Sequence, residues 1–163
     1  MARAADRAAL SHVDRRGRVR MVDVSAKPET TREAVADGRV RMNAAAVRAI
    51  RRKTVAKGDP LQTARLAGIQ AAKRTSDIIP LCHPLPLTHV DVDLQPRADG
   101  YVIVARVGTV GRTGVEMEAL VAVSAAALTL YDMLKAVDRA IVIGPIRLRE
   151  KHGGRSGSYR RSR

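Results

Sequence analysis

The sequence predicts an α+β fold in which one antiparallel sheet carries helices on one face. Three observations carry it. Period-two apolar patterning recurs at residues 32–42, 90–94 and 101–107, as half-buried strands require. Two Ala-rich helical stretches stand between the first and second of these, and one long helical run follows the third. The resulting order is strand, two helices, two strands, long helix, strand, which fits a ferredoxin-like antiparallel sheet with helices packed on one face.

Each element has its own warrant. In REAVADGRVRM (32–42), Ala34, Ala36, Val40 and Met42 hold alternate positions. Asn43 is a cap for a helix over roughly 44–53. Lys57 and Gly58 fall in a loop. Asp59 then supplies an N-cap and Pro60 a first helical residue, opening a helix over about 60–76. IIPLCHPLPL (78–87) is a stiff apolar loop, because Pro80, Pro84 and Pro86 each remove a backbone donor and fix φ. Val90, Val92 and Leu94 alternate with His89, Asp91 and Asp93; PRADG (96–100) is a turn, and YVIVARV (101–107) closes the hairpin. GTVGRTG (108–114) reads as a glycine-rich connection, and residues 115–137, free of Gly and Pro, as one long helix. Gly144–Pro145 is expected to break the chain before a last strand, IRLRE (146–150).

Charge raises the first functional question. The 163 residues carry 30 Lys+Arg against 16 Asp+Glu, a net +14, which invites a nucleic-acid reading. The chain has no Phe and no Trp, however, and only three Tyr, so it lacks the rings on which single-strand and loop binders stack bases. Residues 1–20 hold six Arg against two Asp, and residues 149–163 hold six cations against Glu150, so +9 sits at the ends and +5 remains for residues 21–148. This divides the chain into a flexible basic N-terminal segment (1–20), a single α+β domain (21–152) and a Gly/Ser/Arg-rich tail (153–163). The tail reads either as a solvated end or, over Lys151 to Ser156, as an anion-binding stretch. One cysteine excludes a disulfide framework and all-cysteine metal cages. No apolar run is expected to approach the ~18–20 residues of a membrane span. The first residues have no continuous apolar core, so neither a secretory signal nor a membrane partner is expected, and the expected location is cytoplasmic.

Few residues are candidates for chemistry. Arg occurs 24 times and Lys six times, so each Lys points weakly to a titrating ammonium. Asp132 and Lys135 are three apart and share a helix face. Between Ala119 and Leu130 their helix has only Ser124 and Thr129 as polar interruptions, and a buried Asp and Lys are rare unless paired or functional. Glu116 and Glu118 complement the dipole at its start. Glu118 and Asp132 are 14 residues apart, roughly 21 Å along a helix, too far for one small substrate to touch both within a chain. A site using both would be shared between protomers. His83 and Cys82 sit in the proline-stiffened loop without metal-ligand spacing, and no metal site is expected.

Taken in series, LSHVD (10–14), MVDVSAK (21–27), KGDP (57–60), ARLAGIQAAKRT (64–75), IPLCHPLPL (79–87), GRTGVEMEAL (111–120), LTLYDMLKAVD (128–138) and GGRSG (153–157) resemble the MoaC family over about residues 10–157. The resemblance implies a cyclic pyranopterin monophosphate synthase activity in molybdenum cofactor biosynthesis. A radical SAM partner cyclises GTP to 3′,8-cyclo-7,8-dihydro-GTP, and the MoaC-type enzyme, a lyase, rearranges it to cyclic pyranopterin monophosphate with release of pyrophosphate. It implies a homohexamer of three dimers with sites between protomers. Carried over by position, it makes Asp132, Lys135, Lys57 and Lys73 catalytic. Leu81, Cys82, His83, Glu116, Met117, Glu118 and Arg32 become substrate contacts, the last with the 23–27 segment on the triphosphate. Leu134 and Arg155 depart from the common cysteine and lysine. No cofactor is required, although Mg²⁺ can accompany the triphosphate. An Asp–Lys pair with shifted pKa values suits the proton transfers that ring opening and closure need. Two other readings compete: a nucleic-acid-binding module, distinguished by steep salt dependence, and a catalytically silent oligomeric scaffold.

Overall fold

The computed structural model describes residues 16–162. The LSHVD stretch and most of the expected flexible segment 1–20 lie outside the described residues. The elements are β1 (Thr30–Arg41), α1 (Ala44–Arg51), α2 (Pro60–Ala72), α3 (Thr75–Ile78), β2 (Leu87–Arg97), β3 (Gly100–Gly111), α4 (Glu116–Leu134), β4 (Val142–His152) and β5 (Tyr159–Arg160). The sheet order is β2-β3-β1-β4-β5, antiparallel throughout. The first four strands have the split connectivity of a ferredoxin-like α+β fold, as the sequence predicts.

The even positions of β1 (Ala34, Ala36, Val40) and the odd positions of β3 (Ile103, Ala105, Val107) face α4, where Val123, Ala126 and Leu130 complete the core. Gly38 lets α4 approach closely, since a Cβ there would overlap Val123 Cγ1 at 2.5 Å. α4 lies across β1, β3 and β4 and packs along α2. Among the described residues, α4 alone is long and apolar enough, by length and composition, to cross a membrane. It is the core helix here, with ten buried residues, although Leu128 and, on α2, Leu66 remain exposed. The expected absence of any such segment therefore needs correcting.

Local chemistry sets the ends. The Asn43 side chain accepts the Ala46 N–H at 2.9 Å, and Asp59 accepts from Leu61 and Gln62. Three expectations shift. The helix expected over 60–76 stops at Ala72, and the buried Thr75 hydroxyl donates to the Ala72 carbonyl before one separate turn. GTVGRTG is not all connection, because Gly108 to Gly111 continue β3 against Glu33 to Thr30. Main-chain pairing needs no side chain, so glycines do not stop it. Gly144–Pro145 does not break the chain but sits inside β4, near a register shift between Gly38 and Val40 on the facing strand, where a bulge absorbs both residues. Beyond β4, Tyr159 and Arg160 pair with Lys151 and Glu150, so part of the segment read as a tail returns to the sheet.

Candidate functional site

The site residues expected from sequence fall into two groups at opposite ends of α4. At its C-terminal end, the Asp132 carboxylate bridges two lysines: Lys57 Nζ donates to Oδ2 at 2.8 Å and Lys135 Nζ to Oδ1 at 2.8 Å. Lys57 also donates to the Asp132 carbonyl at 3.0 Å. The loop before α2 brings Lys57 there, because α2 runs antiparallel to α4 and starts where α4 ends. About half of each of the three side chains is exposed. The expectation that burial sets this pair apart is therefore not met; the bridging by a third residue does so instead. The hydrogen bonds from Lys135 and then Lys57 pull the Asp132 carboxyl down to about 2, and Asp132 in turn raises Lys135. Asp132 and Lys135 are therefore both charged at neutral pH.

At the other end, a cavity of about 410 Å³ is lined by Leu81, Cys82 and His83 from the proline loop, Glu116, Met117 and Glu118 from α4, and Val22, Val24 and Lys27 from the N-terminal approach. His83 Nε2 lies 2.8 Å from the Val22 carbonyl. A carbonyl only accepts, so Nε2 carries the hydrogen and donates it. Glu118 is 4% exposed, and this burial, with Glu116 nearby, pushes its carboxyl up to about 7. Burial and the charge of Glu118 both raise the Cys82 thiol, so it stays protonated and is a poor nucleophile.

A second cleft, of about 610 Å³, opens from the first across the shared residues Lys27, Thr113, Gly114, Glu116 and Arg155. Arg32, Arg112 and Lys151 add cations to its wall. The stretch from Lys151 to Ser156, open in sequence between tail and anion site, lines it. Arg112 is a lining residue that the sequence did not single out; its position just before the first turn of α4 was the available signal. Lys73 lines neither cavity and caps the end of α2, exposed, at the end nearest the start of α4. Among the described residues no group of three His, Cys, Asp or Glu side chains is arranged to hold a metal ion.

The MoaC family model matches residues 21–154, most of the chain. The chain belongs to the MoaC family. A relative from Thermomicrobium roseum, named cyclic pyranopterin monophosphate synthase, is 60% identical over 156 residues, covering 94% of each chain. Another from Mycobacterium tuberculosis, named cyclic pyranopterin monophosphate synthase 1, is 60% identical over 155 residues, 94% of this chain and 91% of its own. One from a Roseiflexus species with the first of these names is 59% identical over 152 residues, 92% and 96% of the two chains. The matched region of this MoaC chain includes every site residue expected from sequence.

Proposed function

We infer that the chain is a cyclic pyranopterin monophosphate synthase, a lyase of molybdenum cofactor biosynthesis. The observation that carries this is its 60% identity, across 94% of its length, to proteins of that name. In this reading the substrate is 3′,8-cyclo-7,8-dihydro-GTP, delivered by a radical SAM GTP cyclase, and the products are cyclic pyranopterin monophosphate and pyrophosphate. The reading is supported by a cleft of suitable chemistry: Lys27, Arg112, Lys151 and Arg155 suit a triphosphate, beside a less charged cavity with polar groups for the purine-derived rings. Mg²⁺ would arrive with the phosphates, and no other cofactor enters. The enzyme would work in the cytoplasm.

Each residue then has a role. Lys57, Asp132 and Lys135 form one catalytic group, and Lys73, at the other end of α2, would be a further cation of the opposite half. Their exposure suits completion by a second protomer, because the cavity lies roughly 21 Å away along α4. A homohexamer of three dimers provides such shared sites. Covering the group with substrate and partner would desolvate it and lower the lysine pKa values toward proton transfer. Leu81, Cys82 and His83 would contact the substrate rings, with Cys82 acting as a neutral thiol or through its backbone. Glu116, Met117 and Glu118 would form the facing wall, and Glu118 can hold or release a proton near neutral pH. The test is direct: supply the cyclised GTP intermediate to the purified protein and measure pterin product and pyrophosphate. Equal yields of both are expected, and neither product forming in the presence of folded protein refutes the assignment.

A further inference from the structure

Arg32 lies on β1 in the wall of the cationic cleft, and two of its three guanidinium nitrogens are held by main-chain carbonyls while the third, Nη1, packs against Gly154. Its Nε donates to the Gly111 carbonyl at 3.3 Å and its Nη2 to the Arg112 carbonyl at 3.4 Å, where β3 ends. On the other side of β1, β4 ends at His152 opposite Glu33, and the chain turns through Gly153 and Gly154, both at positive φ. A Cβ on Gly153 would overlap the Thr31 carbonyl, and one on Gly154 would overlap the Arg32 guanidinium. The turn therefore closes directly onto Arg32 and is completed by the Gly157 N–H donating to the Gly154 carbonyl at 3.0 Å. Lys151, Arg155 and Ser156, which line the cleft, lie on or beside this turn, and Lys151 contacts Ser156 across it.

Resting on the reading of this cleft as the phosphate end of the site, we propose that Arg32 is a positioning residue. It clamps the end of β3 to the Gly153–Gly154 turn and so holds Lys151 and Arg155 toward the anion, rather than binding the anion itself. The two glycines are the other half of the device, since any side chain there displaces the guanidinium. A planar guanidinium suits the role because it can meet two carbonyls and still set a third nitrogen against the turn, which a lysine ammonium cannot.

The experiment uses Arg32→Lys and Gly154→Ala, both of which keep the net charge, with inorganic tripolyphosphate as the probe. In the unliganded protein, amide exchange over residues 153–157 is expected to quicken at least about tenfold in both variants while the β1 and β3 interiors stay protected. Tripolyphosphate should bind at least about tenfold more weakly, and the losses should be non-additive with a Lys151→Ala, Arg155→Ala double variant, because the clamp then has nothing to position. In turnover KM should rise by more than kcat falls. Unchanged exchange in the turn, with additive binding losses, would overturn the proposal and make Arg32 a direct anion contact. A wild-type protein that fails to bind tripolyphosphate would instead overturn the reading of the cleft, and the clamp's role in positioning cations for an anion would fall with it.

Discussion

At the scale of single residues, two ionisable groups behave oppositely. Asp132 is exposed and held down to about 2 by Lys135 and Lys57, so its carboxylate stays ionised across the physiological range. Asp132→Asn leaves two adjacent ammonium groups without their shared anion. Turnover is expected to fall about a hundredfold or more, measured with the cyclised substrate. The melting temperature should change little, because an exposed ion pair contributes little to stability. Glu118 is buried and raised from 4.5 to about 7. The fold thus favours its neutral form. That stability is fully present below the unfolded pKa and is lost as pH rises through about 7. Glu118→Gln removes this dependence. Its unfolding free energy in urea, compared with wild type between pH 5 and pH 8, should therefore gain on wild type as pH rises, by up to about 3 kcal/mol. A constant difference across that range would show that Glu118 ionises as freely as in the unfolded chain. The identity of both residues was legible in the sequence. Their environments were not, because the lysine that completes the Asp132 cluster and the walls that bury Glu118 come from distant segments.

At the scale of elements, close packing and a buried carboxylate decide what the helices tolerate. Gly68 in α2 faces α4, and a Cβ there would lie 2.9 Å from the Ala122 carbonyl and 3.2 Å from a Val92 methyl. Alanine is the better helix former by about 1 kcal/mol, but the backbone contact requires α2 and α4 to part. Gly68→Ala is expected to be destabilising overall by about 1–2 kcal/mol in urea unfolding. Asp138, buried after α4, accepts the Asn43 N–H at 2.7 Å and the Ala140 N–H at 2.9 Å, tying the start of α1 to the segment before β4. Asp138→Ala leaves both partly buried hydrogen bonds without their acceptor and should cost about 1–3 kcal/mol by the same measurement. Caps at Asn43 and Asp59 were readable because a capping side chain binds its own neighbours. The end of α2 at Ala72, the continuation of β3 through Gly111 and the bulge at Gly144 were not, because each follows from what the neighbouring strand or turn does.

At the scale of the whole molecule, the two halves of the candidate site lie at opposite ends of one helix. If a second protomer completes each site, two inactive variants should restore one another. Asp132→Asn disables one half and Glu116→Ala the other. Coexpressed, they form mixed dimers with one intact site in two, and random assortment should return about a quarter of wild-type activity. Activity that stays at the level of the separate variants in demonstrably mixed oligomers would place the whole site within one chain.

The sequence by itself determined the element order, the α+β sheet with helices on one face, and the residue types available for chemistry. Those properties follow from periodicity, caps and proline or glycine positions, all of which act over a few residues. It also separated the +9 at the ends from the +5 in the middle and so turned attention from polymers to a small anion. Tertiary structure decided the rest. It brought Lys57 across 75 residues to Asp132, and it returned the glycine-rich C-terminal segment to Arg32. It also left the Asp–Lys pair open to solvent while burying Glu118. Burial and long-range pairing depend on which faces meet, and that is a property of the packed sheet and helices rather than of any local run of residues.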